Sequence, residues 1–212
     1  MARPRSAQYD AHRAQILEAA ARVFAERGYT AATMNEVAAA AGVSKATLYH
    51  YYGDKSDLLE QVASSHVARL EALVQEVGAQ CLAPPEHLRE LVRSFLHAYG
   101  NARHAHRVLT EDVKFLQPQA RAGVTQAQRR VVAAFAQAIG RAQPQLDPAL
   151  QRPVAMLLFG MINWTFTWLR PEGAFTHDAL APVVLALLDG GLPAVPGAAL
   201  SDSAQGAIPE SH

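Results

Sequence analysis

The stretch from Thr33 to Lys55, T-M-N-E-V-A-A-A-A-G-V-S-K-A-T-L-Y-H-Y-Y-G-D-K, decides the fold. Thr33 is followed three residues later by Glu36, the spacing at which a hydroxyl and a carboxylate each satisfy an unpaired N–H at a helix start, so a helix is predicted from Met34. That helix is short: Met34, Val37, Ala38 and Ala41 share one face, and Gly42 then allows the chain to reverse. Ser44 is placed to cap a second helix, Lys45 to Tyr52, with Leu48 and Tyr52 facing inward. Lys45, Ala46, Thr47, Tyr49, His50 and Tyr51 are left on or near its outer surface. Two helices joined by a glycine turn make a helix-turn-helix. Such a motif sets the start of its second helix in a DNA major groove, where Thr47 and Tyr49 reach base edges or phosphates and Lys45 holds a phosphate. On spacing alone an αα-corner without a ligand fits equally well.

The wider stretch A-A-G-V-S-K-A-T-L-Y-H-Y-Y-G-D-K-S-D-L-L, preceded by A-A-R-V-F-A-E-R-G-Y-T-A-A-T-M-N-E-V-A, closely resembles the DNA-binding domain of the tetracycline-repressor (TetR) family of bacterial regulators. The resemblance runs from about Arg13 to Leu59, with Tyr52 where family members most often carry phenylalanine. It implies double-stranded DNA with a palindromic operator as partner, and a homodimer. With the motif it gives the candidate DNA-contacting set Thr33, Ser44, Lys45, Ala46, Thr47, Tyr49, His50, Tyr51 and Lys55.

Composition bounds the rest. Half of the 212 residues are hydrophobic, and no two strand-like segments meet at a hairpin signal, so an all-α fold is expected. The 19 basic and 19 acidic residues cancel, and residues 1 to 60 balance too, so no strongly basic DNA-binding face is present. Arg3 and Arg5 lie in an arm that reads as a solvated tail more readily than as a minor-groove contact. A single cysteine, Cys81, and no charged segment leading into an apolar one at the start point to a reducing cytoplasm.

Along the chain, Ile16, Ala20, Val23 and Phe24 make the stripe of a first helix that Gly28 ends. Asp54 caps a connecting helix whose stripe, from Leu59 through His66 to Val77, ends at Gly78, with His66 read as a core histidine. Pro84 and Pro85 break the pattern and open a second domain, giving the division 1–54, 55–78, 79–192 and a disordered tail at 193–212. Further helical stripes run from Leu88 to Tyr99, Val108 to Leu116, Val124 to Ile139, Leu157 to Leu169 and Leu180 to Leu188. The run from Leu157 to Leu169 is apolar over so wide an arc that it needs burial on two sides, and with the last stripe it is the expected dimer face. A membrane span is not expected, since the apolar run from Val154 to Leu169 falls short of about 20 residues and contains Asn163 and two threonines. Pro171 and Gly173 are its expected stop.

No catalytic motif is present: there is no G-x-S-x-G, H-E-x-x-H, Walker A loop or cysteine pair. His104 and His106 point to different sides of a helix, and His97 and His104 lack a third ligand, so neither metal nor cofactor is expected. Glu111, Asp112 and Lys114 read as a solvated face. The segment G-M-I-N-W-T-F-T-W-L-R-P-E-G, Gly160 to Gly173, looks like that of family members answering to acyl-coenzyme A thioesters. That likeness implies an acyl- or aryl-coenzyme A effector held by Phe95, Tyr99, Phe115, Phe135, Asn163, Trp164, Trp168 and Arg170, and a repressor of a fatty-acid or aromatic-acid catabolic operon. A multidrug-type efflux repressor is the alternative within the family; a helical interaction module or a small helical enzyme are those outside it.

Overall fold

The computed structural model describes residues 7–170 and 175–191, and every regular element among them is a helix. The expected arginine-bearing arm, the tail at 193–212 and the stop at Pro171 and Gly173 lie outside the described residues.

Helix α1 (Ala7–Arg27) buries Ile16, Ala20, Val23 and Phe24 and ends at Gly28, whose φ of +79° suits only a residue without a Cβ. Helix α2 (Met34–Ala40) starts in the expected reciprocal cap: Glu36 N donates to Thr33 Oγ1 (3.2 Å) and Thr33 N donates to Glu36 Oε2 (2.8 Å). Gly42, at φ +65°, turns the chain into α3 (Lys45–Tyr51), where Thr47 N donates to Ser44 Oγ (3.0 Å). Leu48 is completely buried. Tyr52, just past α3, is buried too, beside Arg13, whose guanidinium donates to Gln61 Oε1 (2.7 Å).

Helix α4 (Lys55–Gly78) is capped by Asp54, whose Oδ1 accepts from Asp57 N (2.8 Å). Its first half packs on α1, while Val67, Leu70, Leu73 and Val77 belong to the core of the C-terminal half. The two prolines then start α5 (Pro84–Asn101), occupying first-turn positions where no N–H is needed. There follow α6 (Arg103–Glu111), a short 3₁₀ turn η1 (Val113–Phe115), α7 (Pro118–Ala142), α8 (Pro148–Asn163), α9 (Thr165–Trp168) and α10 (His177–Gly191). Helix α6 packs on both α1 and α4, α7 packs on α4, α5 and α8, and α10 lies on α5. Phe95, Phe135 and Phe159 interlock edge-to-face at the centre, with centroid separations of 4.8 to 6.2 Å.

Two expectations are corrected. The helix expected to run on to Leu169 is interrupted at Trp164. There Thr165 Oγ1 donates to Ile162 O (2.8 Å) and Thr167 Oγ1 to Trp164 O (2.6 Å), bonds that compete with the helical ladder. Asp112 is buried rather than solvated, and its pKa is raised by that burial and then by the neighbouring Glu111 charge.

The wide apolar arc divides cleanly. Leu158, Ile162, Thr165 and Leu169 face the core, whereas Leu157 (70 % exposed), Met161, Trp164 (51 %) and Trp168 (55 %) face outward. On α10, Leu180, Val184 and Leu188 are buried while Val183 and Leu187 (60 %) are exposed. No helix among the described residues is long and apolar enough to cross a membrane.

Candidate nucleic-acid interface and effector cavity

The outer face of α3 carries Lys45, Ala46, Tyr49 and His50, all exposed, with Thr47 half-buried beside them. Lys45 Nζ lies 5.9 Å from the centroid of the Tyr49 ring. Ser44 Oγ and Thr47 Oγ1 are 2.8 Å apart, so both hydroxyls sit at the amino end of the helix. Tyr51 leans back onto Tyr9, with ring centroids 4.8 Å apart. Thr33 is exposed at the start of α2, and its hydroxyl bonds to Glu36 Oε2 (2.9 Å).

Charge on this face is sparse. Arg13 is engaged with Gln61, Arg22 donates to Ala40 O (3.2 Å) and Arg27 pairs with Glu36 (3.8 Å). Lys55 is engaged as well, which the sequence did not suggest. Its Nζ donates to the carbonyl oxygens of Tyr29 (2.9 Å), Thr30 (3.2 Å) and Ala32 (2.9 Å) and lies 4.6 Å from the Tyr29 ring centroid. A lysine has three protons, and all three are used in tying the α1–α2 loop to α4. Lys55→Met is therefore expected to cost about 2–3 kcal/mol in denaturant unfolding, the scale of hydrogen bonds to a charged group. Lys45→Met, on open surface, should stay within about 0.5 kcal/mol.

A cavity of about 300 Å³ opens among α4, α5, α6, α7 and α8. Val67, Leu70, Leu109, Val131 and Phe159 give it buried apolar walls, and Tyr99, His106 and Asn163 add polar atoms. Exposed Arg129, Arg152 and Met156 mark its mouth. Neither arginine forms an ion pair or hydrogen bond among the described residues.

The polar groups are wired together. Tyr99 Oη donates to Asn163 Oδ1 (2.9 Å), and the Tyr99 ring stacks on His106 at 3.6 Å and 19°. His106 Nε2 lies 3.1 Å from Asn163 O, which only accepts, so Nε2 carries the proton and Nδ1 is left to accept from His66 Nε2 (3.4 Å). Burial drives the pKa of His66 down to about 4; burial and then the adjacent His66 drive that of His106 down to about 3, so both rings are neutral at physiological pH. Burial also raises the Tyr99 phenol. His66 lines a second cavity of about 320 Å³, between α1, α4 and the α5–α6 junction, so the histidine pair joins the two hollows.

Of the expected effector residues, the structure brings only Tyr99 and Asn163 to the cavity wall. Phe95 and Phe135 are completely buried behind Phe159. Trp164 and Trp168 are on the outer face. Arg170 borders a separate hollow with His97 and His177. Phe115 stacks on Tyr29 of the α1–α2 loop at 5.4 Å and 29°, far from its expected company. His106 was missed, although it extends the Leu109 and Val113 stripe by three residues; Arg129 and Arg152 had no signal, being isolated charges on two helices.

Residues 16–62 match the family described as bacterial regulatory proteins, tetR family, and residues 81–192 match the tetracyclin repressor-like C-terminal domain. The HTH-type transcriptional activator FasR of Mycolicibacterium smegmatis is 30% identical over 188 residues, spanning 88% of this chain and 85% of FasR. The HTH-type transcriptional repressor KstR2 of Mycobacterium tuberculosis is 26% identical over 190 residues, 87% of this chain and 94% of KstR2. Among solved structures, a TetR-family transcriptional regulator from Bordetella parapertussis 12822 superposes with a TM-score of 0.79 at 33% identity, covering 85% and 96% of the two chains. AibR in complex with isovaleryl coenzyme A and operator DNA gives 0.73 at 26% identity, covering 83% and 97%.

Proposed function

The chain belongs to the tetR family of bacterial regulatory proteins, which are ligand-responsive DNA-binding transcription regulators and not enzymes, and from that premise we propose that it is a homodimeric repressor released by an acyl- or aryl-coenzyme A. In this reading residues 1–54 bind a near-palindromic operator, α4 connects, and residues 79–192 hold the effector and the dimer face. A catabolic operon for acyl or aromatic acids is the corresponding target.

The observation that carries the effector class is the cavity: apolar walls for an acyl or aryl group, with the unpaired guanidiniums of Arg129 and Arg152 at the mouth. Phosphates of coenzyme A need such cations near solvent, and an uncharged hydrophobic drug does not. The relative bound to isovaleryl coenzyme A points the same way. Trp164 and Trp168 move from the effector set to the dimer face, and Arg129, Arg152, Phe159 and His106 join Tyr99 and Asn163. Effector binding must favour a spacing of the two α3 helices that mismatches the operator, since a ligand shifts an equilibrium only by its differential affinity. The stacked Tyr29–Phe115 pair and the His66–His106 contact are the links by which the C-terminal half reaches the α1–α2 loop and α4.

Selection of duplexes from a random library by the purified protein tests the operator. The bound set should carry a near-palindrome with half-site centres about 34 Å apart or somewhat more. Lys45→Ala should flatten the log–log salt slope by about 1.8, one phosphate contact per half-site. Substituting Thr47 or Tyr49 should instead change the preferred bases, at roughly 1–3 kcal/mol per good contact. An unchanged slope and affinity removes Lys45 from the interface, and retention independent of sequence removes the operator.

A further inference from the structure

In the buried Tyr99–His106–Asn163 cluster of the cavity nearly every polar atom is already engaged. The Tyr99 hydroxyl proton is given to Asn163 Oδ1, and both His106 nitrogens are bonded, one to Asn163 O and one to His66. Within that cluster Asn163 Nδ2 remains, without a hydrogen-bond partner among the described residues; the side chains of Thr125 and Gln128 on the α7 wall have none either, but no bond holds them in one orientation as Tyr99 holds Asn163. As placed, the pair offers the cavity a neutral donor, whereas turning the amide over would leave both the Tyr99 O–H and the amide oxygen unpaired. Around it are Leu70, Leu109, Val131 and Phe159. The cations, Arg129 and Arg152, are at the mouth.

This distribution selects by chemistry. An uncharged carbonyl oxygen carried inward on an apolar group gains a hydrogen bond. A carboxylate would lose its hydration against a neutral donor. A plain hydrocarbon leaves the donor unpaired, the situation from which a polar site derives its discrimination.

Resting on the effector reading above, we propose that Asn163, oriented by Tyr99 and braced through its backbone by His106, reads the carbonyl oxygen of an acyl thioester. Of the unpaired neutral donors among the described residues lining the cavity it is the one fixed by a second side chain, and it thereby separates thioesters from otherwise identical ligands without that oxygen. Trp164, its neighbour on the outer face, begins the turn between α8 and α9, so the reading group sits where the cavity meets the exposed apolar arc.

The test compares butyryl-, octanoyl- and lauroyl-coenzyme A with their S-alkyl thioethers, which lack only the carbonyl oxygen, by calorimetry on the full chain. The wild type should prefer the thioester by about tenfold at whichever chain length binds. Asn163→Asp, assayed at about pH 8 to keep the new carboxylate charged, preserves Tyr99's acceptor and the side-chain volume but has no N–H. It should abolish or invert the ratio of thioester to thioether affinity, whatever the new charge does to both affinities alike. Asn163→Ser, which keeps a smaller neutral donor, should retain part of the preference and serves if the aspartate impairs folding. Equal preference in wild type and variants overturns the assignment while leaving the effector class standing. Failure of all six ligands, and of benzoyl- and phenylacetyl-coenzyme A beside them, to bind overturns the effector class itself, and this assignment with it.

Discussion

Replacing Leu157 and Leu187 together by aspartate is expected to weaken operator binding by about 10²–10⁴-fold without unfolding the chain. Both side chains are mostly exposed in the single chain, at 70 % and 60 %, so neither contributes to its own core and aspartate costs that core little. Yet Leu157, Met161, Trp164 and Trp168 with Val183 and Leu187 place large apolar groups on open surface, an arrangement that calls for a covering partner. In the proposed dimer a second copy would cover it symmetrically and present two α3 helices to successive major-groove faces. Separated protomers would bind half-sites one at a time, losing the gain from tethering. Sedimentation should move from twice 22.8 kDa to 22.8 kDa, with helical circular dichroism unchanged. A wild type that already sediments at 22.8 kDa at micromolar concentration contradicts this assembly.

Acid should destabilise the protein well above the carboxylate range. His66 and His106 titrate near 6.5 when unfolded but only at about 4 and about 3 in the fold, because burial disfavours their charged forms. Between those values the unfolded chain binds more protons than the folded one, so stability is full above about pH 6.5 and falls as the pH drops towards 4. Over pH 7 to 5 the loss is about 2–4 kcal/mol for the pair. His104 and His177, lowered by burial as well, act in the same direction. Urea unfolding at fixed protein concentration across that range measures it, and His66→Gln should remove roughly half the dependence. A flat profile would show that the buried histidines already share a proton in the fold.

The N-terminal half was legible because its signals are local. The Thr33–Glu36 reciprocal cap, Gly28 and Gly42 at positive φ, the Ser44 cap and the Asp54 cap each depend on residues within a turn of one another, and each appears where expected. Lys55 was not legible in the same way. Its partners are three carbonyl oxygens at least 23 residues away, and nothing in the identity of Tyr29, Thr30 or Ala32 advertises a bare acceptor.

The effector cavity shows a deeper limit. Periodicity tells which side of a helix faces inward but not whether the inside is filled. Phe95 and Phe135 share the inward periodicity of Phe159, yet only Phe159 meets empty space. Trp164 and Trp168 were drawn into the effector set by the likeness of the segment Gly160 to Gly173 to thioester-responsive family members, whereas the register of α8 and α9 turns them outward, beside the inward Leu158–Ile162–Thr165 row. The arginines of the mouth come together only because α7 packs on α8.

The most direct test is a titration of the selected operator, bound to the full chain, with a panel of acyl- and aryl-coenzyme A thioesters and the matching free acids. Release of the DNA by at least one thioester, none by its free acid, and a weakened response in Arg129→Ala and Arg152→Ala with operator affinity intact, is the predicted result. Release by uncharged hydrophobic compounds with no response to any thioester, or a complex that no member of the panel dissociates, would contradict it.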